Sequence, residues 1–544
     1  MMRTFLRPLL VVALLVLIAS GCRSSSPSSG GGGPAIPMGK RAVTVNVREL
    51  GAVGDRTTDD SAAIRKAIET CAAKGSGTIH FPPGDYLTGP VELRSHMTLR
   101  LDRGATLRFK TSPEDYPLTL TRWEATDCYN FSPLVHGANL EDVAITGEGT
   151  IDGQGSPWWE MRRNARASVA RLRHMGEEGV PVEQRRFGTA ADGLRPTLIE
   201  FWQCRAVTIE GVTIQQSPFW TVHPVYCSDV TLRNLTIRGD GPNTDGIDPD
   251  SCEHVRIDNC DIATGDDSIA IKSGRDADGR RVGKPTRDVQ ITNCRFAKGH
   301  SGVAIGSETS GGISDITIRD CSASGTNVGI LIKTMRGRGA TIENVTAERI
   351  TLENVKRDGV MITMRYNPTQ PEPASERTPT VRNITFRDIK GTSQQRAGRI
   401  VGIEESEVQG VKLENLSIVA KEGLAIAWAR DLKLDGIALQ LDKGPALEIS
   451  DSNGIHVNGL RLQRPTSASP VVRLIDVKDF AARNAPLPPG AAVLIRATGD
   501  VGDLDVGAAK VVRVPERDPQ EISAATQPYG GAGTQPAAPA QPQP

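Results

Sequence analysis

Neither sign of charge dominates this sequence: 64 lysines and arginines stand against 64 aspartates and glutamates over 544 residues. That balance excludes a molecule whose whole surface captures polyanions, nucleic acids among them. An apolar run long enough to cross a bilayer is also missing, because Leu9–Ile18 is ten residues, about half of what a spanning helix needs. With Arg3 and Arg7 before it and Ala19, Ser20 and Gly21 after it, this run reads as an export signal leading to Cys22. Residues 1–22 are therefore expected to be a lipoprotein-type signal peptide with Cys22 lipidated, although Ala19 stands where a large aliphatic residue is usual. The alternative is an ordinary secretory signal. Either way the protein leaves the cytoplasm, tethered to the bacterial outer membrane (facing the periplasm or the outside) or secreted, and it meets a membrane only through that N-terminal lipid. Residues 23–42, rich in Ser, Gly and Pro, read as a linker, and residues 503–544 as a low-complexity tail.

Need for a disulfide framework is absent too, since a chain of this length buries a large core unaided. Eight cysteines follow Cys22. Cys260, Cys294 and Cys321 fall at one position of a repeat, which points to a buried stack of mostly free thiols and leaves one or two bridges open.

The repeat itself sets the architecture. VTIEGVTI from Val207 recurs as VTLRNLTI from Val230, VRIDNCDI from Val255, VQITNCRF from Val289 and ITIRDCSA from Ile316. Alternating apolar and polar residues describe a strand with one buried face, and the Asn, Asp or Gly between the halves marks a sharp bend. Spacings mostly in the twenties leave no room for a crossover helix. The fold class this predicts is all-β: a single-domain right-handed parallel β-helix over 43–502, with interior ladders of Ile and Val and an Asn ladder at Asn234, Asn259, Asn293 and Asn344. Such a solenoid needs a cap. Ala63, Ile64, Ala67, Ile68 and Cys71 have helical spacing behind Asp59 and Asp60, which predicts an acid-capped helix over one end. Residues 159–194 fit no rung and are expected to leave the helix and wall a cleft. With every strand paired except at the ends, a monomer is expected.

Chemistry concentrates on successive rungs: Asn243-Thr244-Asp245, Gly265-Asp266-Asp267, Gly299-His300 and Ile332-Lys333. Rungs lie about 4.8 Å apart, so Asp245 and Asp266, 21 residues apart, are near neighbours. For Asp266 and Asp267 both to face outward the chain must bend, which Gly265 permits. Crowded carboxylates favour a shared proton, so one can donate to a leaving oxygen while another activates water. Between 272 and 338, twelve Lys or Arg face six Asp or Glu, a local bias toward an acidic ligand.

With NTDGIDPDS, GDDSIAIKSG, GHSGVAIGSE and ILIKTMRGRG in order, the chain resembles glycoside hydrolase family 28, the polygalacturonases, over nearly its whole mature length. The resemblance implies inverting, metal-free hydrolysis of an acidic plant cell-wall polysaccharide or oligosaccharide of the pectic type, with no cofactor. It implies Asp266 as general acid, Asp245 and Asp267 as the pair that positions and deprotonates water, His300 as support and Lys333 as the binder of a substrate carboxylate. For two such carboxyls a separation of about 6.5–9.5 Å is expected. Asn243, Lys272, Arg336 and Tyr366 are further substrate-contact candidates, although Lys272 also reads as a solvated strand-end lysine and Tyr366 equally as packing. Trp158-Trp159 and Phe219-Trp220 are candidate sugar platforms. Two departures from the family stand out. Gly-His-Gly is Gly-His-Ser here, through Ser301, and Arg-Ile-Lys is Leu331-Ile332-Lys333. Leucine cannot clamp a carboxylate on the leaving side, so either Arg336 or Arg338 substitutes or that subsite takes a less acidic sugar. The 159–194 excursion favours exo action. A calcium-dependent pectate lyase, with Asp266 and Asp267 as ligands, and a non-catalytic polysaccharide-binding β-helix are the other readings.

Overall fold

A computed structural model describes residues 39, 41–463, 469–488, 493–507 and 511–514. The expected signal, Cys22, most of the linker and the end of the tail lie outside the described residues. Among the described residues no helix is long and apolar enough to cross a membrane.

The repeated units stack in parallel and in register. Val207 pairs with Val230, then Val255, Val289, Ile316, Val345, Ile384 and Val411, one per rung. Each is essentially inaccessible, so the ladder is the core of a parallel β-helix. Burying such a side chain is worth roughly 1.5–3 kcal/mol, and repetition along the axis holds the solenoid together without bridges. All eight cysteines after Cys22 are buried free thiols. Cys260, Cys294 and Cys321 form one stack, as expected, with the Cys294 amide on the Cys321 sulfur. A second stack that the repeat did not reveal runs through Cys204, Cys227 and Cys252, linked by amide-to-sulfur contacts of 3.4 and 3.3 Å.

The asparagines are not interior. Asn234, Asn259, Asn293 and Asn344 are exposed at the bend, each with φ between 51° and 56°. Their position is set by tolerance of the left-handed backbone, and the amides bond along the outside, as from Asn259 Nδ2 to Asn234 Oδ1 at 2.8 Å. The parallel pairing also continues past residue 502, through Leu504–Asp505 and Val511–Val514.

The cap helix is Ser61–Ala73 and buries Ala63, Ile64, Ala67, Ile68 and Cys71. Its start differs from the acid cap expected. The Asp60 carboxylate turns away to accept the amides of Val53 and Gly54, while Asp59 accepts the Ser61 amide and hydroxyl.

Two excursions interrupt the rungs. One, unforeseen, is an antiparallel hairpin of Leu118–Trp123 and Thr126–Phe131 whose turn residues Glu124 and Ala125 both have positive φ. The other occupies the expected stretch and contains the helix Ala165–Glu177. They pack together through Trp123, Cys128, Leu172, Phe187, Phe219 and Trp220. Arg185 ties the excursion to the short helix Asp276–Val282 through both oxygens of Asp278, at 2.9 and 2.7 Å.

Candidate active site

The site lies on the outer face of the sheet formed by Ile269–Ile271, Ser301–Ile305, Val328–Lys333, Asp358–Thr363, Arg396–Val401 and Glu422–Ala427. Just before it, the segment around Asp245 pairs only through single bridges such as Ile247 with Ile269. Thr244 fastens this segment to the next rung: its hydroxyl donates to the Gly241 carbonyl at 2.7 Å and accepts the Gly265 amide at 3.2 Å. Gly265 is required here for a reason other than bending. A Cβ on it would lie 2.1 Å from the Gly241 carbonyl oxygen, so its role is to let two rungs approach.

Asp245, Asp266 and Asp267 come together, one oxygen of each within 4.8 Å of the others. Three basic side chains stand around the group. His300 Nδ1 faces Asp266 Oδ1 at 2.8 Å, Lys333 Nζ lies 2.7 Å from Asp267 Oδ2, and Lys272 Nζ lies 3.9 Å from Asp245 Oδ2. These internal cations supply the charge that a dication would bring and oppose one entering. Asp267 has a further partner, because the Ser301 hydroxyl donates to its Oδ1 at 2.5 Å. The Gly-to-Ser departure therefore places a donor on a site carboxylate. The signal was available in the register: the offset of 34 that pairs Ile269 with Val303 also sets Ser301 beside Asp267.

Electrostatics separates Asp245 from Asp266. Burial and then the charge of Asp266 push the Asp245 carboxyl well above the usual carboxylate range. Burial would raise Asp266 as well, but the hydrogen bond and charge of His300 outweigh it and hold Asp266 low. Burial disfavours the imidazolium of His300, yet the Asp266 hydrogen bond carries its pKa above the ordinary value. Asp248 was not singled out from the sequence. It is fully buried with neither oxygen hydrogen-bonded, and burial pushes it up to about 7.

Lys272 is not solvated. Its ammonium is buried, 3.4 Å from Glu308 and 3.6 Å from Asp248, over the ring of Trp220 at 4.3 Å. Phe219 and Trp220 are likewise buried and stacked on each other, backing the site rather than facing a sugar. Trp158 is buried against Tyr116 and Phe131, and Trp159 donates its indole N–H to the Ser217 carbonyl at 2.9 Å. Asn243 accepts from Arg195, which directly follows the excursion and also bonds the carbonyls of Pro218 and Pro242. Tyr366 is half-buried, its ring 5.0 Å from the Lys333 ammonium.

The arginines proposed to replace the one missing at Leu331 are both engaged. Arg336 pairs with Glu404 and Glu405, and Arg338 with Asp276, Glu308 and the Ser307 carbonyl. Leu331 packs with Val328, Met361 and Tyr366 in an apolar cluster separate from the main core.

The model of glycosyl hydrolases family 28 matches residues 188–429, and that of rhamnogalacturonase A/epimerase, pectate lyase-like, matches 44–100. A probable polygalacturonase of Vitis vinifera is 31% identical over 431 residues, covering 76% of this chain and 81% of that protein. The crystal structure of a hyperthermoactive exopolygalacturonase from Thermotoga maritima is similar with a TM-score of 0.69 and 34% identity, over 79% of this chain and 94% of that one. The polygalacturonase from Erwinia carotovora ssp. carotovora shares the fold, with a TM-score of 0.55 at 24% identity over 71% of this chain and 96% of that one. Because the likeness runs through the rungs holding Asp245, Asp266, Asp267 and His300, and through most of a relative's own length, the chain belongs to glycosyl hydrolases family 28 and is a glycosidase.

Proposed function

We propose that the protein hydrolyses galacturonic-acid polysaccharide from a chain end, with inversion, through the cluster of Asp245, Asp266 and Asp267. The observation that carries this reading is that three carboxylates share one small space with His300, Lys333 and Lys272 set around them. Asp266 and His300 hold a proton between them along their 2.8 Å contact and deliver it to the leaving glycosidic oxygen. Asp267, facing the ammonium of Lys333 and the hydroxyl of Ser301, takes the proton of the attacking water. Asp245, whose carboxyl burial pushes up, orients the same water. Charge developing at the sugar meets side chains already fixed in place.

Exo action is supported by the wall that the hairpin and the excursion build beside Asn243, on the side of the N-terminal rungs. The Thermotoga maritima relative is an exopolygalacturonase. The chain's start, with Arg3, Arg7, an apolar run and Cys22, supports export and a lipid tether. A solenoid whose strands pair internally supports a monomer.

Protein lacking residues 1–40 is to be incubated with polygalacturonate and with rhamnogalacturonan, with and without chelator, following reducing ends and ultraviolet absorbance together. The expected result is reducing ends without absorbance, monogalacturonate as first product, and loss of turnover but not of binding in Asp266→Asn. Absorbance that chelator abolishes would establish a lyase instead, and binding without any product would leave a polysaccharide-binding protein.

A further inference from the structure

We infer that Arg365 and Trp428 form a distal subsite that grips a uronate unit of the polymer several sugars beyond the bond being cut, on the leaving side. The inference rests on the hydrolase reading above. On the exo reading, a chain with its scissile bond at Asp266 continues over the C-terminal rungs of the outer face. That face stays in register: Ser301, beside Asp267, pairs with Val328, then Asp358, Arg396 and Glu422. Five rungs from Asp267 to Glu422 span about 24 Å, and an extended pyranose chain advances by roughly one unit per rung.

At the end of this span Trp428 breaks the pattern of its own turn. Gly402 precedes it at the same register position, and Asp451 and Asp476 follow it. Trp428, Asp451 and Asp476 all have left-handed backbone, with φ of 45°, 46° and 52°. Aspartate accepts that conformation readily, whereas for a bulky residue it is uncommon and points to a use for the side chain. The half-buried indole packs against Val401, Ala425 and Ala427, small residues of the face that holds the catalytic rungs, in a cluster outside the main core.

On this ring sits Arg365, its guanidinium carbon 4.2 Å from the centroid. The arginine is anchored at two points, Nε to the Gly402 carbonyl at 3.3 Å and Nη2 to Glu404 at 2.7 Å. Nη1 has no partner among the described residues, and the side chain remains 19% exposed. Neighbouring arginines on the face are used differently: Arg399 grips both oxygens of Asp358 and Arg396 pairs with Glu422. A guanidinium stacked on an aromatic ring, fixed on one edge and open on the other, is prepared for a carboxylate from outside. The ligand class this selects is a polyuronate long enough to reach the fifth rung.

The test compares Asp266→Asn protein with Asp266→Asn carrying Arg365→Gln or Trp428→Ala, each checked for an unchanged melting temperature. Calorimetry then measures binding of tri- and deca-galacturonate. The decamer is expected to bind the parent more tightly than the trimer. Either second substitution should weaken decamer binding about tenfold, the worth of one charge-assisted contact, and leave the trimer unchanged. Arg365→Gln keeps the tryptophan packing and decides the matter if Trp428→Ala is destabilised. Equal weakening of both oligomers, or no weakening of the decamer, overturns the distal subsite while leaving the hydrolase reading intact. Failure of the decamer to bind the parent overturns the galacturonate reading and this inference with it.

Discussion

Replacing Ser301 by alanine removes one hydrogen bond from one carboxylate, and the consequence follows from the geometry. Asp267 is 1% exposed, so no bulk water takes over the lost donor. A hydrogen bond to a charged group is worth about 1.5–3 kcal/mol, but Lys333 remains on Oδ2 at 2.7 Å and still fixes one end of the carboxylate. That retention places the expected loss at the lower end, roughly tenfold in kcat at about 1.4 kcal/mol per decade. KM should stay near its original value, because Asp267 acts on the water and not on the sugar. Ser301→Gly is the informative companion. It restores the residue that the resembling family carries and opens space beside two polar groups, enough for a water to supply the donor. Activity should therefore fall in the order Ser301, Gly, Ala. Initial rates of reducing-end release on an oligogalacturonate, with thermal melts of all three proteins, decide it. A Ser301→Ala enzyme with kcat within twofold of the parent would refute the reasoning, as would a loss that tracks a lowered melting temperature.

Two other outcomes are expected. His300 has its pKa raised by Asp266, so the pair keeps its proton past the ordinary imidazole range and loses it as pH rises through the raised value. The profile of kcat/KM should thus fall on the alkaline side with a midpoint above 6.5, and His300→Asn should move that midpoint and cost about a hundredfold in turnover; an unmoved midpoint would remove His300 from the proton path. The eight buried thiols should resist a thiol reagent in native protein lacking residues 1–40 and all react on unfolding, whereas fewer than eight would mean that bridges form.

What the sequence made legible is what repeats. Val207 and Val230 could be set in register from their strings alone, because a strand that alternates on one buried face admits a single phase. The same logic found the cap helix and the Cys260 stack. It misplaced Asn234 and its successors because recurrence says only that a position matters, not which side of the wall it faces. The Asp245, Asp266 and Asp267 group was legible because its motifs lie on successive rungs. Lys272 was misjudged because strand position gives no sight of what covers a side chain: its cover is Trp220, and Glu308 comes from a rung further on.

The parts that carry specificity are those the repeat cannot describe. The hairpin, the helical excursion and Trp428 all depart from the pattern, and each departure is costly to a fold built on equivalence between rungs. A hairpin must find partners off the axis, and Arg122 does so by pairing with Asp127 of its own hairpin and Asp250 of the site segment. An excursion must pack without rungs above and below, and Arg185 and Phe187 provide that. The solenoid gives the aspartates their spacing and would do so for any ligand. The wall on one side and the stacked arginine on the other are the features that set one end of that spacing apart from the other.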